Sequence, residues 1–131
     1  MAGEKPLILI ADDDENIRSI LRLKLEASDF RVIEAKNGQE AVDTCKTEHP
    51  NLIVMDVSMP VMTGTEAVTH IKKDKKLRDI KVVFLSNYGE ESELNAWLDQ
   101  KYAKEMGVID YIKKSEDISK IVEKITSLLH G

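Results

Sequence analysis

The chain has a single cysteine, Cys45, so it can form neither an internal disulfide nor a cysteine metal cluster. Its three histidines, His49, His70 and His130, lack metal-ligand spacing and read, with Cys45, as structural or surface residues. No apolar stretch approaches the ~20 residues of a membrane span. The amino terminus, Met1-Ala2-Gly3-Glu4-Lys5, lacks a signal peptide's apolar run and cleavage site. These absences point to a cytoplasmic protein in a reducing compartment. Basic charge is also not in excess: the formal net charge is −5, which removes the footprint of a nucleic-acid binder. There is no internal repeat, low-complexity segment or linker, and 131 residues fit one domain, 1–131. What is present is a 42% hydrophobic share, enough for a core, and a 33% charged share for a hydrated surface.

The apolar residues come in short unbroken runs that end on acids. Leu7-Ile8-Leu9-Ile10 leads into Asp12-Asp13-Asp14, and Leu52-Ile53-Val54-Met55 leads into Asp56. Such runs read as strands buried on both faces, the kind found in parallel sheets. A carboxylate at the end of one lies at the carboxyl edge of the sheet, where open α/β folds bind ligands. Several acids gathered there repel unless a cation or protons compensate them.

Strands are predicted over Lys5–Ala11, Phe30–Ala35, Asn51–Asp56, Ile80–Leu85 and Val108–Ile112. Helices alternate with them. The first, Glu15–Ala27, places Ile17, Ile20, Leu21 and Leu25 on one face. The second has Asn37 and Glu40 as a capping box, buries Ala41, Val42 and Cys45, and ends before His49-Pro50. The third starts at Thr63 or Gly64 and runs through Ile71, with Lys72–Arg78 as a solvated connection. A fourth covers Glu90–Met106 with Gly107 as its stop, and Trp97 in it reads as packing. The last is capped by Ser115 and buries Ile118, Ile121, Val122, Ile125, Leu128 and Leu129. Five strands alternating with five helices imply right-handed βαβ units and a five-stranded parallel α/β sheet covered on both faces.

With all strands parallel, one edge would collect Asp12 and Asp13, then Asp56, then Ser86, then Lys114. Paired hard carboxylates suit Mg²⁺, which prefers oxygen ligands and keeps several waters. An aspartate can attack phosphorus to give an acyl phosphate. A phosphoryl group on Asp56 would need its oxygens neutralised by the metal, Lys114 and the Ser86 hydroxyl. Asp14 reads as a helix-start residue instead.

These residues resemble the receiver domain of two-component response regulators, the CheY-like family. The matching positions span nearly the whole chain: Asp12-Asp13 after Leu9-Ile10-Ala11, Val54-Met55-Asp56-Val57-Ser58-Met59-Pro60, Met62-Thr63-Gly64, Phe84-Leu85-Ser86, and Asp110-Tyr111 ahead of Lys114. The resemblance implies a flavodoxin-like (βα)5 fold and a phosphorelay function. Asp56 would accept a phosphoryl group from a phosphohistidine on a sensor histidine kinase or histidine phosphotransfer protein. Asp12, Asp13, Asp56 and the backbone carbonyl of Ser58 would hold Mg²⁺. Lys114 would contact the phosphate, Ser86 would swing toward it, and Tyr111 would change rotamer, switching a face that binds an output protein. The family is not a class of conventional enzymes, although slow self-dephosphorylation of Asp56 is expected.

Three departures stand out. Ser115 follows Lys114 where the family usually has proline joined by a cis bond; without proline the expectation is trans. Asn87 follows Ser86 where alanine or glycine is usual. The span from Ser86 to Lys114, 114 − 86 = 28 residues, exceeds the family's by roughly one and a half helical turns, which lengthens the fourth-helix region. The departures leave room for a pseudo-receiver that binds without switching. Asp12 and Asp14 also have the Asp-x-Asp spacing of haloacid-dehalogenase-like phosphatases, though Glu15-Asn16 depart from that motif.

Overall fold

The computed structural model describes residues 5–86 and 108–130. The expected helix over Glu90–Met106, with Trp97, Gly107 and the extra residues of that region, lies outside the described residues, as does Asn87. The described elements are β1 (Leu7–Ala11), α1 (Glu15–Ala27), β2 (Arg31–Ala35), α2 (Gly38–Glu48), β3 (Leu52–Asp56), α3 (Gly64–Lys73), β4 (Lys81–Ser86), β5 (Val108–Lys113) and α4 (Ile118–His130). All strand pairs are parallel, in the order β2-β1-β3-β4-β5. The order reverses between β1 and β3, so a crevice opens at their carboxyl ends.

The unbroken apolar strands are explained by two cores, one on each face. Leu9, Ala11, Ile53, Met55, Val82 and Phe84 pack with Ala41, Val42 and Cys45 of α2 and Ala67, Val68 and Ile71 of α3. The alternate positions Ile8, Ile10, Leu52, Val54, Val83 and Leu85 pack with Leu21 and Leu25 of α1 and Ile121 and Ile125 of α4. Each buried aliphatic side chain contributes about 1.5–3 kcal/mol. No described helix is long and apolar enough to cross a membrane.

The helix starts are locally encoded. Asp14 caps α1, its carboxylate accepting from the Asn16 and Ile17 N–H groups. Thr63 caps α3 in a full capping box with Glu66. Asn37 accepts from Glu40 N–H at 2.8 Å, but the Glu40 carboxylate accepts from Lys36 N–H at 3.3 Å. The reciprocal half of the expected capping box is thus displaced by one residue.

Three further expectations are corrected. Ile20 is 46% exposed; it lies beyond the edge of the stripe that Leu21 and Leu25 bury. Ser115 does not cap the last helix. Asp117 does, with its carboxylate accepting from Ser119 N–H at 3.1 Å and its carbonyl from Ile121 N–H at 3.1 Å. The stretch after Ile71 does not begin a solvated connection: α3 runs to Lys73, and Lys72 is only 6% exposed. Its ammonium donates to the carbonyl of Arg78 at 2.8 Å and to that of Ile80. A lysine stem is apolar enough to be buried when its head finds acceptors.

Candidate functional site

Asp12 follows β1 directly and Asp56 ends β3. Ala11 is in register with Met55, so the two acids leave neighbouring strands at the same height, across a strand spacing of ~4.8 Å. Both are sealed from solvent, at 0% and 1% exposure, while Asp13 is exposed. Carboxylate oxygens of Asp12, Asp13 and Asp56 all come within 4.8 Å of one another. Lys114 enters from the far side of β4. Its backbone N–H donates to Ser86 O at 2.8 Å, continuing the ladder one step past β5. Its ammonium then reaches Asp12 Oδ2 at 3.0 Å and Asp56 Oδ1 at 3.2 Å. No cis peptide bond occurs among the described residues, so Lys114–Ser115 is trans, and the lysine still meets both carboxylates. Lys113 pairs in register with Ser86 and is exposed.

The loop after β3 is held at both ends. Val57 N–H donates to Leu85 O at 3.1 Å, and Gly64 N–H donates to Val57 O at 2.9 Å. Position 64 must be glycine because a Cβ there would stand 2.1 Å from Asp56 O. Ser58 is exposed, and its N–H points at Asp56 Oδ1 over a long 3.5 Å.

The electrostatics reflect crowding. Burial, and then the neighbouring Asp12 charge, push the Asp56 carboxyl up to about 7, against the Lys114 ammonium and the Ser58 N–H. For Lys114 burial works against the charge, but the Asp12 and Asp56 carboxylates outweigh it and hold the ammonium above its ordinary value. Polar capacity is left over. Asp56 Oδ2 and Ser86 Oγ are buried with no hydrogen-bond partner among the described residues, and Asp12 Oδ2 meets only the ammonium, off hydrogen-bond geometry. Three carboxylates against one ammonium, with unsatisfied buried oxygens, fit a hard divalent cation.

Asp14 stays out of this cluster: it is exposed, and its carboxylate is used by the α1 cap. Tyr111 is half-buried against the core on the α2/α3 face, in register with Phe84. One participant escaped the sequence reading. Arg18 Nη1 donates to the Asp12 carbonyl at 2.7 Å. The signal that could have found it is an arginine in the second turn of the helix that the Asp12 loop leads into.

Known proteins resemble this chain throughout. A family model for the response regulator receiver domain matches residues 8–126. The chain is 33% identical over 129 residues to the probable transcriptional regulator ycf27 of Cyanophora paradoxa, covering 98% of this chain and 50% of that one. It therefore spans half the length of that relative. It is 30% identical over 122 residues to the polar-differentiation response regulator DivK of Brucella ovis, covering 93% and 94%. Among solved structures, the response regulator TrrA of Thermotoga maritima, in complex with Mg²⁺–BeF, matches with a TM-score of 0.76 at 30% identity, covering 94% of this chain and 98% of that one. With the sheet order, the acid-lined edge and the family match in agreement, the chain belongs to the response regulator receiver domain family, the CheY-like receivers of two-component signalling.

Proposed function

We propose that this protein is a Mg²⁺-dependent phosphoacceptor, taking a phosphoryl group onto Asp56 from the phosphohistidine of a sensor kinase or a histidine phosphotransfer protein. The observation that carries the reading is the meeting of Asp12, Asp56 and the Lys114 ammonium at one sheet edge, with the buried Asp56 Oδ2 left without a partner among the described residues. Asp12, Asp13, Asp56 and the Ser58 carbonyl would hold the cation. When bound, Mg²⁺ supplies positive charge that keeps the carboxylates ionised and offsets the oxygens of the transferring group.

The protein's own residues do the rest. An Asp56 oxygen attacks phosphorus, the P–N bond to the donor imidazole breaks, and its electron pair returns to the ring nitrogen. Lys114 lies beside Asp56 Oδ1 and counters the charge of the phosphoryl oxygens. Ser86 Oγ offers a buried donor that lacks a partner among the described residues, and its engagement by the phosphoryl group would draw on the neighbouring Tyr111 and switch a protein-binding face. A phosphatase reading is less supported, because Asp14, the second acid of its motif, is occupied in capping α1.

Addition of Mg²⁺ and beryllofluoride to the labelled protein tests this. Amide NMR shifts at Ser86 and Tyr111 are expected to move. If Mg²⁺ and beryllofluoride bind and those shifts stay put, the protein is a binding module that does not switch.

A further inference from the structure

The loop between β1 and α1 carries both Asp12 and Asp13, and three of its groups are tied. Asp12 N–H donates to Ala35 O at 3.1 Å. Asp14 N–H donates to Asp12 Oδ1 at 2.9 Å. The third tie is the 2.7 Å bond from Arg18 Nη1 to the Asp12 carbonyl, a charge-assisted contact stronger than a neutral one.

The guanidinium is itself aimed. Arg18 Nε donates to Glu34 Oε1 at 3.0 Å, and the other Glu34 oxygen accepts from Arg22 Nη1 at 2.6 Å. Arg18 is 15% exposed and Glu34 25%, so the pair is largely shielded. Burial works to raise the Glu34 carboxyl, but the bonds from Arg22 and Arg18 outweigh it and hold it below its ordinary value. The planar fork of arginine is what lets one side chain grip a carboxylate and a carbonyl together.

The peptide joining Asp12 to Asp13 is planar and stiff. Fixing its carbonyl fixes the plane on which both residues are mounted, and so narrows the directions open to the two side chains. We propose that Arg18 is a positioning residue for the metal site: anchored by Glu34, it orients the Asp12–Asp13 peptide so that the two carboxylates face one cation. This rests on the reading of Asp12 and Asp13 as Mg²⁺ ligands.

The test is a Mg²⁺ titration of the full chain followed by amide NMR, with stability measured beside it. Outer partners of metal ligands are typically worth 10–100-fold in affinity, so Arg18→Met is expected to weaken Mg²⁺ binding by about 10-fold or more at temperatures where it is fully folded. In the metal-free protein its Asp13 and Asp14 amides should exchange faster than in the wild type. Glu34→Gln keeps the guanidinium and loosens its anchor; it should weaken binding in the same direction by a smaller factor. The double variant should bind no worse than Arg18→Met, because Glu34 acts through Arg18. A lowered stability with wild-type Mg²⁺ affinity in Arg18→Met overturns the proposal. If that variant does not fold, Glu34→Gln decides, and wild-type affinity there overturns it. A wild type with no saturable Mg²⁺ response refutes instead the metal-site reading on which the proposal stands.

Discussion

The Lys114 ammonium lies 3.2 Å from Asp56 Oδ1, bridging it to Asp12 at 3.0 Å. One cation therefore serves two buried acids. Its removal in Lys114→Met leaves like charges without a partner, and breaking a buried pair in this way costs about 3–5 kcal/mol. Asp56→Asn does the opposite. It removes one acid, keeps the Lys114–Asp12 pair, and is expected to raise metal-free stability by on the order of 1 kcal/mol while abolishing phosphoacceptance. Urea denaturation in EDTA checks both signs. A stabilised Lys114→Met, or a destabilised Asp56→Asn, would contradict this electrostatic picture.

Gly64 tests the loop that follows Asp56, the proposed acceptor. An added Cβ would meet the Asp56 carbonyl at 2.1 Å, and a backbone atom has little freedom to retreat. Gly64→Ala is expected to cost about 1–3 kcal/mol and to displace Asp56, so that phosphorylation slows by more than the stability loss explains. Phosphorylation kinetics at a temperature where the variant is fully folded measure this; a wild-type rate there would show that Asp56 tolerates the displacement.

Much of this arrangement was legible because it is local. Asp14 and Thr63 declare helix starts by their own chemistry, and unbroken runs such as Leu52–Met55 declare strands buried on both faces. The shared carboxyl edge followed from counting parallel strands, which places Asp12, Asp56, Ser86 and Lys114 together. Side chains that act at a distance were not legible. Lys72 sits in a basic run that looks solvated, and only the turn after α3 supplies the carbonyls that bury it. Ile20 fits the helical stripe by spacing, but the width of the covered face is set by β2 and α4, which its sequence neighbours do not report. Arg18 reaches the Asp12 loop through three-dimensional placement of Glu34 on β2.

Lys72 gives a pH signature. Burial pushes its ammonium down to about 8 from 10.5, with the nearby Asp79 charge opposing. The unfolded chain holds that proton to higher pH than the folded one does. Between about 8 and 10.5 the unfolded state binds more protons, so this group's contribution to stability rises with pH through that window and is flat below it. Lys72→Met abolishes that rise. At pH 7 it also leaves two carbonyls without their donor, at about 1–3 kcal/mol each. Denaturation of both proteins from pH 7 to 10.5 should therefore show the wild-type advantage growing with pH; an advantage that shrinks would reverse the sign.

Val61 carries local strain. It is 82% exposed with φ 69°, at the centre of a three-residue turn closed by Met62 N–H to Pro60 O at 2.7 Å. A β-branched residue is poorly suited to positive φ. The turn is kept because Met62 O is held in turn by Gly38 N–H at 3.1 Å. Val61→Asn, which tolerates this conformation, is expected to gain about 1 kcal/mol, read as a higher urea midpoint. An unchanged or lower midpoint would mean that the valine is not strained there.

Intact-mass measurement after incubation with acetyl phosphate or phosphoramidate addresses phosphoacceptance at Asp56 directly. The wild type in Mg²⁺ should gain one phosphoryl mass, lose the gain when EDTA replaces Mg²⁺, and show none in Asp56→Asn. An unmodified wild type in Mg²⁺, or an equal gain in Asp56→Asn, would contradict the assignment of Asp56 as the acceptor.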